Sequence, residues 1–390
     1  MVCVLPSGHY MKEISTWSGA YFYDFFAVGA VIALLLRVCA GARPQFNEPR
    51  RKWWRSTRSW ALVWILLAGP YAILGLADAD KFYIRDFRPL IFLLQIVVLV
   101  YLGLHVRREV VTARFVSWLA IAAGASVLAK YGVILTGIYQ QADVYYQDSS
   151  YRYLDASAYF CAAFSLFYFS DRAQFERLKW LAWIALALSI VAVLITNSRF
   201  IVLSLVAGAF FVSNISAARR IGLALFGACA VSVFVLASYY AGIERVLGAL
   251  TWEGLSGQVV SRYSPALERI HEMSAFQLIF GMGQGTPFDI PWFEYRGLES
   301  DAASIDGAYL TYYVKYGIFG PLMLLAYYCV QAPMKTSFRI PIGVFVACMF
   351  CVSTTSYQPY AVGLSLALFC FNALSVRTEA LASDGSCHVR

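Results

Sequence analysis

Charged side chains are scarce in this chain. Asp, Glu, Lys and Arg make up 14% of the residues, hydrophobic residues make up 60%, and the mean hydropathy is +0.62. A soluble globular domain carries about 25% charged residues. Apolar stretches near the roughly 20 residues that span a bilayer recur along the whole length. The composition therefore excludes an ordinary soluble domain and predicts an all-α polytopic membrane protein.

Three further absences narrow the class of protein. None of the nine cysteines falls in the longest hydrophilic segment, so neither a disulfide framework nor a Cys-x-x-Cys metal site is expected. The first residues lack a basic stretch followed by an apolar run and a cleavage site, so no removable signal peptide is expected. The net charge is +8, but the basic residues follow the loops and form no single patch, which argues against nucleic acid as a partner.

About eleven apolar stretches have the length of transmembrane helices. They cover roughly residues 18–38, 59–77, 89–105, 115–137, 154–170, 180–196, 199–213, 221–240, 306–330, 340–355 and 358–374. Lys and Arg concentrate in alternate connections, as is typical of cytoplasmic loops; these are 39–58, 106–114, 171–179, 214–220 and 331–339. The prediction is one integral membrane domain over 1–390, with a large outward loop, 241–305, between spans 8 and 9.

Two of these segments have specific features. The most basic inner loop, 39–58, also carries Trp53 and Trp54, and we interpret it as an interfacial anchor to anionic membrane lipid. In the outer loop, Ser264-Pro265 predicts the start of a short amphipathic helix that ends before Gly281. Arg269 would lie on this helix, and Arg262 would share its face only if the helix continued back through Pro265.

Arg199 follows a short polar break, Thr196-Asn197-Ser198, between two long apolar runs. A guanidinium costs about 2.5–3.5 kcal/mol at the centre of a membrane helix even on the mildest scales. Such an arginine either holds an anion or a partner, or lies at a helix end and extends to the lipid head groups. Its position alone is compatible with both interpretations.

Three segments occur in a fixed order on the predicted outer side: 196–199, 278–285 and 306–320. They read Thr-Asn-Ser-Arg, Leu-Ile-Phe-Gly-Met-Gly-Gln-Gly, and Asp-Gly-Ala-Tyr-Leu running on to Tyr-Gly-Ile-Phe-Gly. This order resembles the bacterial O-antigen polymerase and ligase superfamily, in which a T-x-S-R-type turn, a large periplasmic loop ending in G-x-G and a (D/H)-N-x-x-L…G-x-x-G span follow one another. The resemblance covers roughly residues 190–330; the N-terminal half matches only as a run of spans.

The resemblance implies a GT-C-like glycosyltransferase of the bacterial inner membrane that uses neither a metal nor another cofactor. Its substrate would be an oligosaccharide carried on undecaprenyl diphosphate. The polymerase branch transfers the growing chain to the non-reducing sugar of an incoming lipid-linked repeat unit, usually beside a chain-length regulator protein. The ligase branch transfers it to lipid A-core.

Site residues follow from the same resemblance. Arg199 corresponds to the first essential arginine, and Arg262 or Arg269 to an arginine of the large loop. Asp306 stands where ligases usually carry a histidine and many polymerases an aspartate, which favours the polymerase. The expected catalytic residues are Arg199, Arg269 and Asp306. The residues expected to contact substrate are Arg262, His271, Tyr309, Gly281 and Gly283.

Two positions depart from the family pattern. Gly307 replaces the usual Asn, and Gly281 lies twelve residues after Arg269, whereas some polymerases have eleven. The identity of the second essential arginine therefore stays open between Arg262 and Arg269.

The chemistry of the residues agrees with this resemblance, although each has a structural alternative. Arginine matches phosphate geometry and would stabilise a departing lipid diphosphate, and Asp306 could orient or deprotonate an acceptor hydroxyl. Asp306 equally suits a helix N-cap, and Arg262 and Arg269 could pair with Glu268 or Glu272. His271 also reads as a surface histidine and Tyr309 as part of the aromatic belt at the membrane interface.

Two alternatives to this assignment are a different active site and a different class of protein. Asp78-Ala79-Asp80, followed by Arg85, Asp86 and Arg88, lies in the first outer loop and could hold a divalent metal, as in transferases that use single lipid-phosphate sugars. A flippase or transporter of lipid-linked oligosaccharide is the other alternative. Transporters often carry internal repeats, and none is found here.

Overall fold

The computed structural model describes residues 48–74, 95–102, 111–135, 156–196, 199–212, 252–290, 304–326, 336–352, 363–371 and 373–374, with some of 29–41 and single positions at 83, 86, 220, 222, 301 and 302. The helices are α1 (Glu48–Leu74), α2 (Ala113–Leu135), α3 (Ala156–Ser170), a 3-10 helix (Arg172–Leu178), α4 (Lys179–Ile195), α5 (Arg199–Phe210), α6 (Trp252–Glu272), α7 (Ala275–Phe280), α8 (Ala308–Tyr316), α9 (Phe319–Ala326) and α10 (Thr336–Val352). Most of residues 95–102 and 363–374 are also helical where described. One antiparallel ribbon joins β1 (Phe288–Asp289) to β2 (Asp301–Ala302). The described chain is thus mostly helical, as predicted.

Two of the described helices are long and apolar enough to cross a bilayer. They are Ala113–Val133, with a mean hydropathy of 1.4, and Arg172–Ile195, with 2.3. A helix rises about 1.5 Å per residue, so each exceeds or matches the roughly 30 Å of the hydrocarbon core. The predicted span 221–240 lies outside the described residues apart from Gly222, and so does much of the span 18–38.

Aromatic side chains fill the centre of the helical core. The ring of Phe167 on α3 stacks on Phe371 with centroids 4.4 Å apart, and meets Phe338 of α10 edge-on at 5.0 Å. Trp53 of α1 lies 6.2 Å from Phe369 and is only 2% exposed. Trp53 is therefore part of the protein core, and the interpretation of this tryptophan as a lipid anchor is wrong.

The single helix predicted between Ser264-Pro265 and Gly281 is wrong at its start and in its continuity. α6 begins at Trp252 and runs through Pro265 to Glu272, and α7 follows after a break. Proline inside a helix costs about 3 kcal/mol, but Ala266, the next residue, is buried in a small core with Phe288 and Ile305. This packing holds the helix on either side of the proline.

α7 begins and ends at recognisable caps. The Ser274 hydroxyl accepts a hydrogen bond from the backbone N–H of Gln277, whose side chain accepts one from the Ser274 N–H. These reciprocal bonds form a capping box. The predicted end at Gly281 is confirmed, because Gly281 is the C-cap of α7.

The predicted span 306–330 is interrupted. α8 ends at Tyr316 and α9 begins at Phe319. Gly317, between them, has φ +59°, and a Cβ there would overlap the carbonyl of Ile279. The end of a helix leaves carbonyl groups without intrahelical partners. Here the carbonyls of Val314 and Lys315 accept hydrogen bonds from the backbone of the predicted outer loop. The loop thus supplies the hydrogen bonds that a continuous helix would have supplied.

Candidate functional site

The backbone of the predicted outer loop is joined to the break between α8 and α9 by three hydrogen bonds. The N–H groups of Met282 and Gly283 donate to the carbonyls of Val314 (2.8 Å) and Lys315 (3.0 Å). The N–H of Ile318 donates to the carbonyl of Ile279 at 3.1 Å. The two glycine-containing segments of the sequence resemblance, 278–285 and 316–320, are therefore in direct contact. Gly281 and Gly283 lie in this junction.

Asp306 precedes α8 and forms an ion pair with Arg262 of α6. The guanidinium nitrogen lies 3.8 Å from the carboxylate oxygen, with side chains 21% exposed for Arg262 and 56% for Asp306. This distance exceeds the roughly 2.7–3.2 Å of a hydrogen bond. The guanidinium carbon of Arg262 also lies 5.1 Å above the ring of Phe200. The structure thus brings α6, the start of α8 and the start of α5 to one place.

Arg199 is the first residue of α5 and directly precedes Phe200. In the polar segment that precedes Arg199, the structure describes Thr196. The buried hydroxyl of Thr196 donates to the carbonyl of Val193 at 2.7 Å. Asn197 and Ser198 lie outside the described residues. The backbone of Arg199 is consequently one residue from the ring that Arg262 covers.

The backbone at Gly307 gives a physical reason why glycine stands where the O-antigen polymerase and ligase pattern has asparagine. Its φ is +149°, and a Cβ there would lie 3.1 Å from the ring of Tyr263. An asparagine would be strained at this φ and crowded by the ring. Gly307, and not Asp306, is the N-cap of α8, and no side chain caps this helix. The alternative in which Asp306 serves as the N-cap is therefore wrong.

Tyr263 connects the outer loop to α10. Its hydroxyl donates to the carbonyl of Cys351 at 2.8 Å. Burial raises the pKa of the Tyr263 phenol above 10, Cys351 and Asp306 raise this pKa further, and the Arg262 guanidinium opposes them. The phenol therefore stays protonated at neutral pH and keeps its role as a donor.

Arg269 lies elsewhere on α6. Its guanidinium donates to the carboxylate of Glu272 at 2.9 Å and to the carbonyl of Pro287 at 3.2 Å. One of the predicted structural alternatives, pairing with Glu272, is thus present for Arg269 but not for Arg262. Because α6 continues through Pro265, the two arginines are two helical turns apart on the same side of the helix.

The other two residues expected to contact substrate are placed differently. His271 is exposed near the end of α6. Tyr309, in the first turn of α8, is partly buried and meets Phe350 of α10 edge-on with ring centroids 5.9 Å apart. The cluster that the structure brings together is that of Arg262, Asp306 and Phe200.

Sequence reasoning missed a second ion pair. The ammonium of Lys315, near the end of α8, binds the carboxylate of Asp86, and both side chains are buried. The other oxygen of Asp86 accepts from the N–H of Gly285 at 2.7 Å. The signal was present, since Lys315 is the one charge in residues 307–330 and an ionisable group in a span needs a partner. Asp86 lies among other charged residues of its loop, such as Asp80 and Arg88, which obscures its pairing with a charge in the span.

Within the described residues, no group of three or more His, Cys, Asp and Glu side chains is arranged to hold a metal ion. Asp78 and Asp80, the rival acidic pair, lie outside the described residues. One Cys-x-x-Cys spacing does occur, Cys348 to Cys351 in α10, and both thiols are free.

Comparison with known proteins identifies a family. A family model matches residues 102–379, more than two thirds of the chain, and the chain belongs to this family of unknown function (DUF6369). No curated protein matches it. The matched region includes the cluster of Arg262, Asp306 and Phe200 and also Lys315, but not Asp86.

Proposed function

We propose that this chain is a polysaccharide repeat-unit polymerase that transfers a glycan from undecaprenyl diphosphate to an incoming lipid-linked repeat unit. One observation carries the proposal: the ion pair of Arg262 and Asp306, beside the first turn of the helix that Arg199 begins. Arg262 and Asp306 are 44 residues apart in sequence, and Phe200, whose ring Arg262 covers, lies 62 residues before Arg262. A shared site requires such distant segments to meet.

The proposed roles follow from charge. Arg262 and Arg199 bind the diphosphate and stabilise the negative charge that develops on it as it leaves. The carboxylate of Asp306 accepts the proton of the acceptor hydroxyl, whose oxygen forms a new bond to the anomeric carbon. The bond from that carbon to the diphosphate breaks, and undecaprenyl diphosphate departs with the electron pair.

The structure favours Arg262 over Arg269 as the second arginine of the site. Arg269 is occupied by Glu272 and the carbonyl of Pro287. Arg262 lies 3.8 Å from Asp306, beyond hydrogen-bond distance, so its guanidinium can turn to a substrate at a smaller cost than that of Arg269. Arg269 is assigned instead to holding the end of α6 against the segment that contains Pro287.

The proposal includes about eleven transmembrane helices in a bacterial inner membrane, with the site facing the periplasm. Contacts at helix ends support this arrangement. Tyr263 and Cys351, both expected near the periplasmic side, are joined by a hydrogen bond. Trp53 and Phe369, both expected near the cytoplasmic side, are in contact. The chain-length regulator of such polymerases remains part of the proposal.

A transporter of lipid-linked oligosaccharide is the second candidate. The helix break at Gly317 and the buried pair of Lys315 and Asp86 favour it, because transporters use interrupted helices and intramembrane charges. A ligase, within the same resemblance, is disfavoured by Asp306 at the position where ligases usually carry histidine.

Mass analysis of lipid-linked glycans in a deletion strain tests the proposal. A polymerase predicts that one complete repeat unit accumulates on undecaprenyl diphosphate, with no longer chains. Full-length chains retained on the lipid would indicate a ligase. An incomplete repeat would point to a single-sugar transferase that uses Asp78 and Asp80, and an unchanged profile would contradict all three.

A further inference from the structure

A shallow cavity of about 620 Å³ lies where α3 ends, the 3-10 helix follows and α4 begins. We propose that this cavity binds the head group of an anionic phospholipid from the inner leaflet. The site is at the opposite end of α4 from the start of α5, beside which Arg262 lies. It rests on the membrane orientation in the proposed function, but not on the polymerase activity.

Charge is the first ground for the proposal. Arg172, Arg177 and Lys179 line the cavity and are exposed, whereas Glu176 is the one carboxylate in the lining. Among the described residues, none of these three cations forms an ion pair with a carboxylate. Asp171, adjacent to the cavity, is 8% exposed and accepts a hydrogen bond from Gln174 at 2.6 Å. The cavity therefore has an excess of positive charge for an anion.

The cavity is held in place by aromatic packing. Phe175, in the 3-10 helix, is 1% exposed and meets Phe164 and Phe167 edge-on, each with centroids 5.9 Å apart. The guanidinium carbon of Arg172 lies 5.8 Å from the centroid of Trp183. Because Phe175 anchors the 3-10 helix, the cations beside it are presented by a packed element.

The surroundings favour a lipid over a soluble anion. Trp180, in the first turn of α4, is 84% exposed, and Trp183 is 49% exposed. Tryptophan is enriched where a protein meets the membrane interface. Further along α4, Ile184, Val191 and Leu194 are exposed apolar residues on a helix long enough to cross a bilayer. A phosphate in the cavity thus has an apolar surface next to it on which acyl chains can lie.

The leaflet follows from the distribution of Lys and Arg. The connection 171–179 belongs to the alternate basic loops, which lie on the cytoplasmic side of a membrane. Anionic lipid attracts basic residues there with about 1 kcal/mol for each Lys or Arg near the surface. Three cations around one cavity are expected to select phosphatidylglycerol or cardiolipin over zwitterionic phosphatidylcholine.

Native mass spectrometry of the purified full chain, titrated with phosphatidylglycerol, cardiolipin or phosphatidylcholine, tests the site. The wild type is expected to retain the anionic lipids at least about tenfold better than phosphatidylcholine. The triple variant Arg172→Gln, Arg177→Gln, Lys179→Gln is expected to lose this preference. The matched comparison is Arg51→Gln, Arg55→Gln, Arg58→Gln, which removes the same charge from the exposed inner part of α1. The lipid contact predicted for that segment is with the membrane surface and involves no cavity, so retention of an individual lipid should change less than about twofold.

A further variant separates loss of binding from loss of folding. Glu176→Gln removes the one lining carboxylate, and is expected to strengthen retention of phosphatidylglycerol about fivefold. Misfolding cannot produce such a gain. Competition by millimolar inorganic phosphate distinguishes the two sources of the anion, and it should leave lipid retention unchanged.

The following results would overturn the proposal. Equal losses of lipid retention in the triple variant and in the α1 variant would mean that diffuse surface charge, and not the cavity, retains the lipid. Displacement of lipid by inorganic phosphate would mean a site for a free anion. Unchanged or weaker retention in Glu176→Gln would mean that the charge in the cavity does not set the affinity.

Discussion

α8 carries one ion pair at each end, and the two pairs differ in their surroundings. Just before the helix, Asp306 faces Arg262 at 3.8 Å with more than half of its side chain exposed. At its last turn, Lys315 binds Asp86 with both side chains almost completely buried. In the first pair, Arg262 or Asp306 can leave the other side chain and bind a ligand. The second pair is enclosed by protein.

This difference in exposure predicts different roles for the two pairs, one in function and one in stability. Exposed ion pairs contribute about 0–1 kcal/mol to stability. Breaking a buried pair by removing one partner costs about 3–5 kcal/mol, because a charge is left without compensation. We therefore expect the buried pair to hold the outer loop against α8 and the exposed pair to serve substrate.

The largest effect is expected for Lys315→Met. This change removes the ammonium that binds the buried carboxylate of Asp86, and should destabilise the protein by about 3–5 kcal/mol. Thermal unfolding of the purified protein measures it. The double variant Lys315→Met, Asp86→Leu should recover much of the loss, and a double variant no more stable than the single one would refute the buried pair.

Gly317→Ala should have the next largest effect. A methyl group would overlap the carbonyl of Ile279, and φ +59° is unfavourable for alanine. Such strain costs of order 1–3 kcal/mol. The same thermal assay measures the loss, and Gly69→Ala, a substitution in α1 with no neighbouring atoms within 4 Å, is the control. Equal melting temperatures for the two variants would contradict the interrupted helix.

Arg262→Gln should change stability by less than about 1 kcal/mol. If Arg262 stabilises a departing diphosphate, polymer formation in a complemented deletion strain should fall about 100-fold or more. Arg269→Gln is the matched control on the same helix, and it should keep nearly full activity. The opposite ranking of the two arginines would show that the second arginine had been assigned wrongly.

The smallest effect concerns pH. The raised pKa of Tyr263 means that its contribution to stability is fully present below pH 10 and declines as the pH rises from there through the folded-state pKa. Tyr263→Phe should remove this part of the alkaline decline, which unfolding curves at pH 9 and pH 11 measure. An identical alkaline decline in both proteins would exclude the burial of the Tyr263 phenol as its source.

Much of the helical fold could be predicted from sequence. The apolar runs predicted the helices α2 to α5 and α10 within a few residues, and Gly281 correctly marked the end of α7. Such features depend on local composition and on caps.

The remaining features depend on contacts between distant residues. α6 continues through Pro265 because Ala266 packs on Phe288, and α8 stops because the outer loop supplies hydrogen bonds to its end. The pairing of Lys315 with Asp86 joins residues 229 positions apart. No local pattern encodes these pairings, so the sequence alone does not decide whether Arg262 or Arg269 is the second essential arginine.

The most direct test of the central claim is polymerisation by the purified chain in nanodiscs, given a lipid-linked repeat unit and no membrane gradient. We predict a ladder of longer lipid-linked glycans, absent with Arg199→Ala, Arg262→Ala or Asp306→Asn and present with Arg269→Gln. A ladder that persists in the Arg262→Ala and Asp306→Asn proteins would contradict the proposed site. No ladder with the folded wild type, together with gradient-dependent movement of the lipid-linked unit, would replace the polymerase with a transporter.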